Sequence, residues 1–229
     1  MTFGTLLSSY AKNIPDGIAL IYGDRRITWR ELNERVNRLA NAFLELGVRK
    51  GDKGAIMFRN SPEFFESNLA LQKIGAVPVP INFRFVPGEI EYVVNNSDSV
   101  LFIFEDSFSD AVAETRPKLT KVKNYICSGA WETPRPPETL GYEELIAKHS
   151  PGEPKAKVAE SDTALICYTG GTTGAPKGVV LTYTNFLKNM GFFLRLLLEL
   201  PPEASRTESD VMKSEYNRRM FSGLRSLMG

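Results

Sequence analysis

The chain has 229 residues, 42% of them hydrophobic and 24% charged, a composition that excludes collagen-like, low-complexity and disordered chains and suffices for a substantial buried core. Lys and Arg number 28 against 27 Asp and Glu, a formal net charge of +1. No overall field therefore draws the chain to nucleic acid or an anionic membrane, and no nucleic-acid partner is expected.

Two well-separated cysteines, Cys127 and Cys167, and a single histidine, His149, leave almost nothing from which to build a zinc site or a Cys/His or Ser/His/Asp catalytic set. Both cysteines read as small buried hydrophobes, and His149, two residues before Pro151, reads as a surface loop residue. The N-terminal MTFGTLLSSYAKN lacks a charged segment followed by a long apolar run, so no secretory signal is expected and the compartment is read as cytoplasmic.

In chain order, residues 18–22 and 26–28 read as a hairpin across Gly23-Asp24. Thr28 and Glu31 form a capping box, after which Leu32, Val36, Leu39, Phe43 and Leu46 recur at helical spacing up to Gly47. Residues 55–58 read as a short buried strand. Ser61-Pro62 opens a helix carrying Phe64, Phe65, Leu69 and Ile74, Gly75 ends it, and residues 77–81 form the next strand. That strand–helix–strand order predicts a parallel pair. A helix over 87–95 and strands over 100–104 and 122–127 follow. The Pro-rich 130–137, a helix near 142–147 and the loop SPGEPKAK come next, the two loops being candidate subdomain borders. Residues 164–169 read as a buried strand.

The stretch from Ile166 reads ICYTGGTTGAPKGVVLTYTN. Gly170, Gly171, Gly174 and Gly178 permit close backbone approach, Thr169, Thr172 and Thr173 carry hydroxyls, and Lys177 carries a point charge. Backbone N–H groups in such a loop wrap phosphates, a lysine offsets their charge, and a threonine oxygen can ligate Mg²⁺. A plain hairpin turn needs one or two glycines and has no use for the rest. Walker A and GxGxxG patterns are both absent. An unrelated phosphotransferase would require a carboxylate pair near the loop, and Glu160 and Asp162 read as solvated.

YTGGTTGAPKG at 168–178 resembles the phosphate-loop signature of the AMP-forming adenylating superfamily, which includes acyl-CoA synthetases, aryl-CoA ligases, luciferases and peptide-synthetase adenylation domains. ITWREL at 27–32 and LQKIGAVPVPIN at 71–82 are similar to two further family elements, in the family's order. The resemblance implies an α/β fold with a parallel or mixed sheet flanked by helices, corresponding to the first part of the large N-terminal domain of acyl-CoA synthetase-like enzymes. It assigns residues 1–187 to that AMP-binding domain and leaves 188–229 as a helix and tail without assignment.

The implied reaction is ATP-dependent activation of a carboxylic acid, here a fatty acid, through an acyl adenylate to a thioester, with ATP, Mg²⁺ and coenzyme A as cofactors. Carried over by position, Thr169, Gly170, Gly171, Thr172, Thr173, Gly174 and Lys177 contact the nucleotide. Lys177 and Thr172 are the catalytic candidates, and Thr172 is also the metal ligand. Relatives often have Ser or Thr where Gly170 stands. The family's later motifs are absent before Gly229, from which the expectation is a truncated, inactive portion of an acid–thiol ligase. The alternative is a non-catalytic nucleotide-binding or interaction module that needs a complementary chain. Residues 186–200 read as a helix with apolar Phe186, Met190, Phe193, Leu197 and Leu200. It is too short to span a bilayer; peripheral membrane contact stays open beside packing against the loop's strand.

Overall fold

The computed structural model describes residues 1–129, 136–169 and 175–197. The chain divides into a first unit, Met1–Phe186, and a second, Leu187–Gly229, the latter described only as far as residue 197. Thr2 caps α1 (Phe3–Asn13), and an antiparallel hairpin of β1 (Ile18–Tyr22) and β2 (Arg25–Thr28) follows. The Thr28/Glu31 capping box starts α2 (Trp29–Glu45), whose apolar stripe Leu32, Val36, Leu39 and Phe43 is buried as its spacing requires.

Five parallel strands form the main sheet in the order β4-β3-β5-β6-β7: β3 (Lys53–Met57), β4 (Val77–Pro80), β5 (Ser99–Glu105), β6 (Asn124–Ser128) and β7 (Thr139–Gly141). Strand alternation sorts the core onto two faces. Ile56, Leu101, Ile103 and Ile126 point to one side, with α2, α3 (Pro62–Lys73) and α6 (Tyr142–Lys148). Ala55, Met57, Phe102, Phe104, Tyr125 and Cys127 point to the other, with α4 (Pro87–Asn96) and α5 (Ser109–Thr115). Ser61 caps α3, and Gly75, at φ +74°, turns its end into β4, a left-handed conformation that favours glycine. The parallel β3–α3–β4 unit is as expected from the sequence.

Several local readings are corrected. Phe65 is exposed, and Glu66, Ser67, Ala70 and Leu71 form the buried face of α3. Leu71 packs onto Gly54, where a Cβ would lie 2.7 Å from its Cδ1, and Glu66 is drawn in by a polar network. The Glu66 carboxylate is fully buried and accepts from Arg35 Nε at 2.7 Å, Arg35 Nη2 at 3.0 Å and Tyr142 Oη at 2.9 Å, while Arg35 also reaches Glu143. Burial works against charge on Arg35, but the two carboxylates outweigh it and raise its pKa. His149 caps α6 rather than lying free in a loop: its side chain is 11% exposed, with Nδ1 2.6 Å from the Leu145 carbonyl and Nε2 3.3 Å from Glu45. Cys127 is buried as expected, but Cys167 is exposed.

The SPGEPKAK loop is not a free linker. Asn33, Asn37 and Asn41, spaced by four on α2, form one stripe, and residues 149–153 run along it. Asn37 donates to the Pro151 carbonyl, Asn41 to those of Ser150 and Gly152, and Arg38 to that of His149. The Lys73 ammonium, 2% exposed, lies 2.6–2.9 Å from oxygens of Ser8, Asn33, Asn37 and Glu153. Extended backbone with two prolines has few internal partners, so the carbonyls of this strap are satisfied by side chains. Most of the Pro-rich 130–137 lies outside the described residues.

Two expectations follow. Arg35→Ala leaves the Glu66 carboxylate buried without its cation and is expected to cost about 3–5 kcal/mol in urea unfolding, with Glu66→Gln in the same chain recovering part of the loss. Burial raises Glu153, but Lys73, Asn33 and Ser8 outweigh it and hold its pKa below the usual value; burial likewise raises Glu105, and the hydroxyl of Ser107 with the backbone N–H and guanidinium of Arg59 outweigh it. A depressed carboxylate contributes stability that is present above the unfolded value, near 4.5, and lost as pH falls through the folded value. Thermal unfolding is therefore expected to hold from pH 7 to 5 and to drop below about pH 4, with Glu153→Gln flattening the decline.

Candidate functional site

The glycine-rich segment sits at the end of a separate antiparallel pair, β8 (Thr163–Thr169) and β9 (Lys177–Thr182). Its last rung joins Thr169 to Lys177, and the Thr169 hydroxyl lies 3.4 Å from the Lys177 carbonyl. This rung closes the loop of residues 170–176. Of the candidate site residues, Thr169 and Lys177 are thus brought together at the loop's root, both exposed. Gly170, Gly171, Thr172, Thr173 and Gly174 lie outside the described residues. Among the described residues, no ion pair engages Lys177.

Gly178 belongs to the strand and not to the loop's curvature. It stands opposite Tyr168, and a Cβ there would lie 3.0 Å from the Tyr168 ring and 3.1 Å from Ile166. The glycine lets the ring lie across β9, from where the Tyr168 hydroxyl donates to Asn96 Oδ1 at 2.6 Å. Burial, first, and then Tyr92 and Asp98 raise the Tyr168 pKa.

β8 was expected to be buried, yet only Ala164 is; Val179 and Val180 on β9 are 43% and 57% exposed. The cause lies in the neighbouring strand. β8 packs beside β4, which is the edge of the main sheet, and the N–H groups of Val77 and Ile81 point inward to the carbonyls of Asp52 and Ile56. By alternation the outward nitrogens belong to Pro78 and Pro80, which carry no hydrogen. The main sheet therefore cannot extend by a regular ladder onto β8, and the hairpin forms a sheet of its own.

The foot of the hairpin is tied to its surroundings by side chains. Gln72 Nε2 donates to the Ala164 carbonyl at 3.0 Å, the buried Tyr183 donates to the Gln72 carbonyl at 3.4 Å, and Lys50 pairs with Asp162 at 2.6 Å. That lysine, together with the Ala159 N–H, holds Asp162 below the usual carboxylate range, so this residue is ion-paired rather than merely solvated. The N-terminal ammonium pairs with Glu160. Thr182 and Asn185 exchange capping bonds where α7 (Tyr183–Leu197) begins. Sequence reading missed Gln72, Tyr168 and Tyr183. The alternating prolines of VPVP are the signal from which the need for such ties could have been read.

A cavity of about 600 Å³ lies between α1 and residues 153–159, lined by Thr5, Ser8, Lys50, Lys73 and Lys157 among others; none of the described residues lining it lies between Thr169 and Lys177. No helix among the described residues is long and apolar enough to cross a membrane.

Comparison with known proteins agrees with this layout. The family described as AMP-binding enzyme matches residues 7–212. A medium/long-chain-fatty-acid–CoA/3-oxocholest-4-en-26-oate–CoA ligase of Mycobacterium marinum is 38% identical over 172 residues, 73% of this chain and 31% of that protein. A crotonobetaine/carnitine–CoA ligase of Salmonella typhimurium is 35% identical over 192 residues, 78% of this chain and 37% of that protein. The chain spans about a third of the length of the curated relatives it matches. Among solved structures, the acetoacetyl-CoA synthetase from Streptomyces lividans gives a TM-score of 0.79 at 26% identity, covering 88% of this chain and 33% of that one. The anthranilate CoA ligase AuaEII in complex with anthranoyl-AMP gives 0.78 at 25%, covering 85% and 37%. The glycine-rich hairpin, the parallel sheet beside it and the two earlier motifs all fall within the matched span, and the chain belongs to the AMP-binding enzyme family.

Proposed function

We propose that this chain supplies the phosphate grip of an ATP-dependent carboxylic acid–CoA ligase acting on a fatty or related apolar acid. The observation that carries the reading is the loop rooted on the Thr169–Lys177 rung, with an exposed hydroxyl and an exposed lysine where a polyphosphate would enter. Its support comes from the family match and from relatives whose names are those of acid–CoA ligases. One structural relative was solved with an acyl adenylate, the intermediate that the first step forms.

In that step a carboxylate oxygen attacks the α-phosphorus of ATP, the P–O bond to pyrophosphate breaks, and the acyl adenylate forms. In the second step a thiol sulfur attacks the acyl carbonyl, AMP leaves, and the thiol proton passes to solvent. The demand on the protein in step one is to hold two anions together and to stabilise charge on the departing pyrophosphate. Lys177 is assigned that electrostatic role, with the Thr169 hydroxyl and the backbone N–H groups of residues 170–174 orienting the phosphates. The Thr172 hydroxyl is the proposed Mg²⁺ ligand, a hard oxygen suited to that ion, and the metal would offset phosphate charge. Residues 1–187 are proposed to form the first part of the AMP-binding domain.

The test is equilibrium binding of MgATP to the chain by calorimetry. Lys177→Ala removes a charge-assisted contact worth about 1.5–3 kcal/mol and is expected to weaken binding by about tenfold or more. An unchanged dissociation constant would overturn the role of Lys177. Thr172→Val is expected to weaken binding in Mg²⁺ but to leave the affinity for metal-free ATP unaltered.

A further inference from the structure

The foot of the β8–β9 hairpin is held by a tie that no backbone ladder to the main sheet supplies. Pro78 and Pro80 strip the outer edge of β4 of donors, so β8 packs beside it without strand pairing to the main sheet. The β8–β9 ladder is itself irregular between Thr163 and Leu165 and skips Ala164, leaving the carbonyl of a residue buried to 0% exposure outside the pairing. The amide of Gln72, itself 6% exposed, takes that carbonyl at 3.0 Å. The Gln72 main-chain carbonyl in turn accepts from Tyr183, the residue immediately after β9. One residue at the end of α3 thus clasps both feet of the hairpin. Its neighbour Lys73 holds the strap that leads into β8.

On the reading of residues 169–177 as a phosphate loop, we propose that Gln72 is a positioning residue for that loop, acting through the Ala164 carbonyl and Tyr183. The lever is long. Ala164 to Thr169 spans about 17 Å of strand, so a tilt of about 3° at the foot moves the loop by about 1 Å. Displacements of that size degrade the geometry of a phosphate grip severely. Tyr168, on Asn96, steadies the hairpin nearer the loop through an exposed bond, while the bond from Gln72 is buried. Buried bonds are the ones whose loss leaves an orphaned group.

The test compares Gln72→Met, which keeps side-chain size and removes the donor, with Ile74→Ala, which opens the core at the end of the same helix and removes neither hydrogen bond to the hairpin. Both are made in the full chain and read by amide hydrogen exchange and by MgATP binding. Gln72→Met is expected to accelerate exchange in residues 163–169 and 177–182 by about tenfold while residues 53–57 and 101–104 keep the wild-type rate, and to weaken MgATP binding by about threefold or more. Hairpin exchange at the wild-type rate, or acceleration spread over all elements as in Ile74→Ala, would overturn the proposal. Should Gln72→Met fail to fold, Tyr183→Phe, which removes the bond at the other foot, decides by the same exchange pattern. If the wild-type chain shows no MgATP binding, the phosphate reading fails, and the exchange measurement still decides whether Gln72 ties the hairpin.

Discussion

Pro78 and Pro80 give β4 an outer edge with acceptors but no donors, and much of the architecture around the glycine-rich hairpin follows from that constraint. A blunted edge protects a sheet from unwanted pairing. Here it also ends the parallel sheet at β4, and among the described residues β8 and β9 pair with each other alone. A two-stranded pair is marginal by itself and must lean on its surroundings. The surroundings supply Gln72, Tyr183, Tyr168 with Asn96, and Lys50 with Asp162. The chemistry attributed to the loop demands that it be held in place, so these polar contacts link fold to function.

Helix α2 provides the second part of that support. One face is apolar and closes the core under the sheet. The polar stripe of Asn33, Asn37 and Asn41, with Arg35 and Arg38 beside it, is equally structural: it satisfies the carbonyls of the strap and neutralises Glu66. Lys73 is the point where α1, α2, α3 and the strap meet, and its burial is tolerated because four oxygens surround one ammonium. The long reach of these contacts, from residue 8 to residue 153, means that the path into β8 is set by the folded body and not by the strap's own conformation.

What could be read from the sequence was what local rules encode. The capping box of Thr28 and Glu31, the Ser61-Pro62 helix start, the Gly75 stop and the parallel strand–helix–strand unit depend on neighbours in sequence, and each is found as expected. The motif at 168–178 pointed to the family. Spacing could not tell which face of α3 is buried, because Glu66 enters the core only through Arg35 and Tyr142, distant in sequence. The buried strand expected over 164–169 is a half-exposed hairpin arm, since an apolar run of that length reads the same in either setting. His149 and the SPGEPKAK segment looked like free loop because their partners lie on α2, roughly a hundred residues earlier. The loop residues Gly170 to Gly174 are known by motif alone, whereas Thr169 and Lys177 are placed as a pair at its root.

The central claim is that residues 169–177 grip the phosphates of a nucleotide. Amide hydrogen exchange of the full chain with and without MgATP tests it most directly. The expected result is slower exchange confined to residues 166–178 on adding MgATP, with the five-stranded sheet unaffected. Protection that falls instead on the cavity beside Lys50, Lys73 and Lys157, or no protection at saturating nucleotide, would contradict it.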